Sequence, residues 1–265
     1  MIDIDNLFEQ YFKKYIAENL GKMTEEEIED KIPELYTEFG NTPNEKLGGK
    51  TPREYFKGFS DDELIGHFKN SVQKNGEASS FLCDEIENRG GLNDKLCNLI
   101  SVENGDELST YAVNMLGNDI DVKYLEHFVD IITDNRAGES LTEALTELLR
   151  DNGDKVKEKI LNIYSNDVFG KENLIEILSR TSQDDRVFEI LLNELKSDER
   201  NIALNAGYIA RYGDERAIKE LENLIEKDGL SYYDFKELKN AIEELGGEYS
   251  GEYKGSKFTA TKQSH

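Results

Sequence analysis

The chain has 265 residues, with 56 acidic and 32 basic side chains, a net charge of −24, three histidines, two cysteines and no tryptophan. That length is enough to bury a substantial core without disulfide staples, and the charge argues against sequence-independent nucleic-acid binding and anionic membrane surfaces, both of which need clustered Lys and Arg. No apolar run exceeds three residues, which leaves no membrane-spanning helix, and the acidic start MIDIDNLFEQ lacks an apolar signal core, so a cytoplasmic protein is expected.

Residues 4–19 read as an amphipathic helix, with Leu7, Phe8, Tyr11, Phe12, Tyr15 and Ile16 at helical spacing. Residues 24–39 read as a second helix, begun by Thr24 with Glu27 three positions on, the pattern of a capping box. NTPNEKLGGK (41–50) is a loop by composition. Residues 1–48 therefore form an expected N-terminal helical cap and loop. A helix starts beyond it, with Thr51 as N-cap, Pro52 at the first position and Glu54 at the third. The prolines, Pro33, Pro43 and Pro52, all precede residue 53, and from there Gly, Asn and Asp clusters punctuate segments of helix length. Alternating strand patterns are nearly absent, so the chain is all-α.

From residue 51 the sequence repeats. NGDKVKEKILNIY (152–164), QDDRVFEILLNEL (183–195) and YGDERAIKELENLI (212–225) each carry a polar turn with Asp, then a basic residue, then an apolar one. Each follows another helical segment: LTEALTELLR (141–150), ENLIEILSR (172–180) and IALNAGYIARY (202–212). The unit is a helical hairpin with a period near 30 residues. Hairpins are expected at 51–58/61–74, 78–88/92–102, 106–116/121–133, 140–150/154–165, 171–181/185–196 and 199–211/215–227, with a last helix at 231–245. The tail, 246–265, loses helical periodicity and is expected to be flexible or loosely docked.

This unit resembles bacterial-type HEAT-like repeats. The resemblance is carried by Asp154-Lys155, Asp184-Asp185-Arg186 and Asp214-Glu215-Arg216 at the start of the second helix, and is strongest from 140 to 228. Two departures stand out: no proline occurs in the first helices, and the repeats before residue 140 are degenerate. The resemblance implies a right-handed α-solenoid of about six hairpins over 49–245, end-capped by the N-terminal helices. It also implies that the second helix of each hairpin lines the concave side and that the protein binds other chains.

In the second helices the apolar phase reads Leu96, Leu99, Ile100; Leu125, Phe128, Val129; Ile160, Ile163, Tyr164; Leu191, Leu195; and Leu221, Leu224, Ile225. Two residues after the first of each set come Asn98, His127, Asn162, Asn193 and Asn223, and His67 follows Ile65 at the same offset. That offset is about 200° around a helix, pointing away from the core. One polar column of six is therefore expected along the inner groove, recurring about every 30 residues. Glu158, Glu189 and Lys219 stand among its neighbours one turn earlier. An Asn amide offers two donors and one acceptor, so spaced amides can grip an extended peptide backbone whatever its side chains. Armadillo-type solenoids resemble this in using an asparagine ladder. A solvated polar face and hydrogen bonding between repeats account for the same residues without a ligand.

No catalytic or metal motif occurs: no CxxC, HExxH, GxSxG, P-loop or EF-hand spacing. Cys83 and Cys97 fall at apolar phases and read as small core residues. Some HEAT-like proteins are alkyl-base DNA glycosylases or bilin lyases, but the charge and missing tryptophan argue against a DNA groove, and no motif supports a lyase. The expected protein is a non-catalytic scaffold, without cofactor or metal, that binds a protein or extended peptide, a basic one included, through the polar concave face. It is not expected to bind nucleic acid or membrane. The alternative is an acidic inhibitor or immunity-type protein masking a basic enzyme such as a nuclease. An enzyme of unrecognised reaction is the third reading.

Overall fold

The computed structural model describes residues 2–254. Within them the chain is all-α: every regular element is helical, and the β contact is an isolated bridge between Leu20 and Met23. Backbone contacts divide it into two compact units, residues 2–121 with 138–144, and residues 122–137 with 145–254.

The first unit contains α1 (Ile4–Asn19), α2 (Glu25–Glu29), α3 (Ile32–Asn41), α4 (Pro52–Tyr55), α5 (Asp61–Asn75), α6 (Ser80–Arg89), α7 (Asn93–Cys97) and α8 (Asp106–Asn114). Its helix starts follow local chemistry. Thr24, Thr51 and Ser60 each form a reciprocal capping box with the glutamate three residues on, and Asp3 caps α1 by accepting from the Asn6 amide at 2.9 Å. The helix expected over 24–39 is split into α2 and α3. Pro33 has no N–H to donate to the Glu29 carbonyl, and its ring crowds that carbonyl, so the ladder ends at Glu29 and restarts with Pro33 in the first turn of α3. The segment expected as helix over 92–102 is also shorter. α7 stops at Cys97, because the Asn104 amide donates to the Leu99 carbonyl at 2.8 Å and the Ser109 hydroxyl donates to the Ser101 carbonyl at 2.8 Å. These side-chain bonds take up carbonyls that a continued helix would use.

The core of this unit is mostly Leu, Ile and Val, with rings gathered beside it. Tyr36 meets Phe8 edge-on at 4.7 Å and stacks on Phe81 at 4.8 Å, Phe8 lies 5.5 Å from Phe39, and Phe68 meets Tyr111 at 5.5 Å. Gly40 lets α3 approach this cluster: a Cβ there would stand 2.6 Å from the Phe81 ring.

The second unit contains α9 (Val122–Ile132), α10 (Glu139–Asp151) from Leu145 onward, α11 (Gly153–Ile163), α12 (Lys171–Leu178), α13 (Asp185–Ser197), α14 (Ile202–Tyr212), α15 (Ile218–Ile225), entered through a 3-10 turn at Glu215–Ala217, and α16 (Tyr232–Glu244). Its core is mostly aliphatic: Leu125, Phe128, Val129, Val156, Ile160, Leu191, Leu195, Leu221, Leu224 and Ile225 are all buried. α9 packs on α11, α13 on α14, and α16 on both α14 and α15. One polar network enters the interior. Glu194 is only 4% exposed; its carboxylate accepts from the Tyr164 hydroxyl at 2.8 Å and from the Lys171 ammonium at 2.9 Å. Burial and the Glu194 charge push the Tyr164 phenol up.

After α16, residues 246–254 dock on the unit. Tyr249 and Tyr253 lie against Phe235 at 6.1 and 5.5 Å, and the Tyr253 hydroxyl donates to the Leu230 carbonyl at 3.0 Å. The expectation for the rest of the tail, 255–265, lies outside the described residues.

Candidate functional site

Four of the six outward positions lie in the second unit: His127 on α9, Asn162 on α11, Asn193 on α13 and Asn223 on α15. All four are exposed, while Leu125, Ile160, Leu191 and Leu221, two residues earlier, are buried, as the helical period requires.

Ion pairs join successive members of this set. Lys159 of α11 reaches Asp130 of α9 at 2.6 Å, and Arg186 of α13 reaches Glu158 of α11 at 2.6 Å. Arg216, in the turn leading into α15, reaches Asp185 of α13 at 2.8 Å, and Lys196 of α13 lies 3.4 Å from Glu220 of α15. The pairs show side chains of α9 and α11, of α11 and α13, and of α13 and α15 reaching one another, with the four outward residues within about two turns of a pair.

The arginines are aimed before they cross. Asp184 accepts from the backbone N–H of Arg186 at 2.9 Å and holds its guanidinium at 2.7 Å; Asp214 does the same for Arg216 at 3.0 and 2.6 Å. Arg186 then offers its remaining donors to Glu158 of α11, and Arg216 to Asp185 of α13. Hydrogen bonds from Arg186 draw the Asp184 carboxyl down to about 2 and hold Glu158 below the ordinary glutamate range. The same Asp-x-Arg spacing recurs at Asp134 and Arg136, where the guanidinium is held at 2.6 Å. Asp154 behaves differently. It accepts from the Ser182 backbone N–H at 2.8 Å and the Ser182 hydroxyl at 2.6 Å, in the turn before α13.

The amides of Asn162, Asn193 and Asn223 make no side-chain hydrogen bond among the described residues, and Glu189 and Lys219 are exposed without an ion pair there. Elsewhere in the unit Asn152, Asn173, Asn201 and Asn205 all bond within the fold. Glu158 differs from its expected role, because Arg186 occupies its carboxylate. Glu226, one turn beyond Asn223, is also taken: Lys254 pairs with it at 2.5 Å and the Tyr249 hydroxyl donates to it.

The first unit holds the other two positions. Lys95 of α7 pairs with Asp62 of α5 at 2.5 Å. Asn98 is exposed at the C-terminal end of α7; its backbone N–H donates to the Asp94 carbonyl, and its side-chain amide makes no hydrogen bond among the described residues. His67 departs from the expected outward column. It is half-buried and lies edge-on to Phe59 at 4.8 Å, because the 3-10 turn Phe56–Gly58 folds Phe59 back against α5. Desolvation pushes its imidazole pKa down, favouring the neutral ring.

Among the described residues no group of three or more His, Cys, Asp or Glu is placed to hold a metal ion, and no helix is long and apolar enough to cross a membrane. Compared with protein-family models, curated proteins and solved structures, the chain matches none of them. The ion-pair ladder escaped sequence reasoning, although its signal was present: Asp-x-Arg at 184–186 and 214–216, with a carboxylate about 30 residues before each arginine.

Proposed function

We propose that the chain is a non-catalytic cytoplasmic binding protein, a right-handed α-solenoid of about six HEAT-like hairpins over residues 49–245 with residues 1–48 as its cap, that grips an extended peptide or protein segment along its second helices. The observation that carries this reading is the set Asn162, Asn193 and Asn223. They share one phase on three successive second helices, are exposed, and keep their amides unbonded among the described residues. Their donors and acceptors match those of an extended backbone, which presents an N–H and a carbonyl at each residue. Glu189 and Lys219 flank them with charges of both signs, adding side-chain preference at the edge of the grip.

The test is capture from native lysate with wild type and with the Asn162→Ala, Asn193→Ala, Asn223→Ala triple variant, at low and high salt, with partners identified by mass spectrometry. A partner held by wild type and lost by the triple variant supports the reading; equal recovery overturns it. The net charge of −24 favours one alternative, masking of a basic enzyme. That reading predicts binding that ignores the asparagines and weakens steeply with salt.

A further inference from the structure

A cleft of about 560 Å³ opens in the first unit, within the size range of small-molecule sites. Five parts of the chain build its wall. Asp5 comes from the first turn of α1, Tyr36 from α3, Glu77 from the turn before α6, Cys83 from α6 and Tyr111 from α8. An adjoining hollow of about 280 Å³ also opens on Asp5.

The chemistry of the wall is one-sided. It carries two carboxylates and no Lys, Arg or His. Two other enclosed carboxylates of this protein have a cation: Glu85 has Arg89 at 2.9 Å and Glu194 has Lys171 at 2.9 Å. Asp5 is half-buried and makes neither an ion pair nor a hydrogen bond among the described residues. A desolvated, unpaired carboxylate beside a second one is complementary to a cation.

Two rings stand with it, and both are fixed. Tyr36 is stacked on Phe81 and accepts from the Ser80 hydroxyl at 2.9 Å, while Tyr111 meets Phe68 and donates to the Ala78 carbonyl at 3.3 Å. Aromatic faces favour organic cations. Two carboxylates are too few for a metal cage, and the cleft is far larger than an ammonium head, so it suits a cation with an alkyl body. Burial pushes the Cys83 thiol up to about 11, which keeps it a neutral wall.

We propose that this cleft binds an alkylammonium group, ion-paired to Asp5 and Glu77 and flanked by the rings of Tyr36 and Tyr111. The site is separate from the asparagine row, and its test does not depend on that row. The groups that face Asp5 are Asp3 on its own helix, Glu77, Tyr36, Cys83 and, across the adjoining hollow, Lys74. Burial, Asp3 and Glu77 raise the empty-site Asp5 carboxyl to about 6. An ammonium opposes that shift, so binding releases a proton near that pH and tightens as pH rises through it.

The experiment is calorimetric titration of the full chain with 1,5-diaminopentane, with N-acetyl-lysine amide and, as the uncharged control, with 1-pentanol. The diamine should bind and 1-pentanol should not. Affinity should fall at least about fivefold between pH 7.5 and pH 5, and Asp5→Asn should weaken it at least about tenfold. A Glu199→Gln variant, which removes an exposed charge in the second unit, should leave it unchanged and so separates the cleft from general attraction to an acidic protein. If the lysine amide binds as well as the diamine, the natural source is a lysine side chain; if only the diamine binds, it is a free amine. Absence of binding by both ammonium probes, equal binding by 1-pentanol, or an Asp5→Asn affinity equal to wild type overturns the proposal. Asp5→Asn removes an ionised group that the fold disfavours, so the variant keeps its structure, checked by its thermal midpoint.

Discussion

The two units bury similar cores, mainly Leu, Ile and Val, and differ in what surrounds them. In the second, Arg and Lys reach carboxylates from α9 to α11, from α11 to α13 and from α13 to the turn entering α15. The first adds a cluster of half-buried and buried rings, Phe8, Tyr36, Phe39 and Phe81, and a separate Phe68–Tyr111 pair, and its helices are cut short by Pro33 and by the Asn104 and Ser109 side chains. Where an Asp-x-Arg spacing recurs, outward side chains of one kind fall into a row. Where short helices gather around rings, as at Tyr36 and Tyr111, a cleft of unlike side chains stays open to water.

The comparison breaks most easily at the largest buried groups. Phe68→Ala removes a ring with 0% exposure and should destabilise the chain by about 4 kcal/mol in urea denaturation. A loss below about 1 kcal/mol would mean that the first unit collapses around the missing ring as a fluid core does. In the second unit, Lys171→Met leaves the Glu194 carboxylate buried with only Tyr164 beside it, and about 3 kcal/mol should be lost. Adding Glu194→Gln should restore part of that loss, which a double-mutant cycle measures.

A smaller effect of opposite sign belongs to Asp5. Its folded-state carboxyl is raised to about 6, so the folded state holds the proton more tightly than the unfolded chain does. This group therefore lowers stability above that pH, and the penalty vanishes as pH falls below the unfolded value near 4. The full shift corresponds to about 3 kcal/mol, and screening at a carboxyl this open to water reduces it to about 1 kcal/mol. Asp5→Asn should gain that amount at pH 7 and nothing at about pH 3.5, read from thermal midpoints at the two pH values.

The Asn162, Asn193, Asn223 triple alanine variant should change stability by less than about 0.5 kcal/mol per site, because exposed amides without internal bonds hold nothing in place. A larger loss would turn the row into part of the scaffold. Least of all, Arg186→Gln should leave the denaturation midpoint nearly unmoved, since the arginine is more than half exposed. Its signature is instead the Glu158 carboxyl returning to the ordinary glutamate range in an NMR titration.

Much of the fold was legible because it rests on local rules. The capping boxes at Thr24 and Thr51 formed as their sequence spacing requires, and the second-unit helices begin and end within a few residues of the expected hairpins. The outward phase of Asn162, Asn193 and Asn223 follows from the 3.6-residue period alone. His67 did not obey it, because Phe59, eight residues away and in a turn, decides how the imidazole is covered. Cys83 read as a core residue, and it is half-buried on the wall of a cleft whose other sides come from four separate parts of the chain. Periodicity describes what one helix does with its own faces. It carries no information on where several helices fail to meet.

The docked segment after α16 bears on how copies of this chain can associate. The rings of Tyr249 and Tyr253 occupy the flank of Phe235, and Lys254 neutralises the carboxylate of Glu226 nearby. An exposed apolar ring on a helix is a ready contact for another molecule. At Phe235 that contact is already taken by Tyr249 and Tyr253 of the same polypeptide, which leaves Tyr232 and Tyr233 as the rings of α16 open to a neighbour.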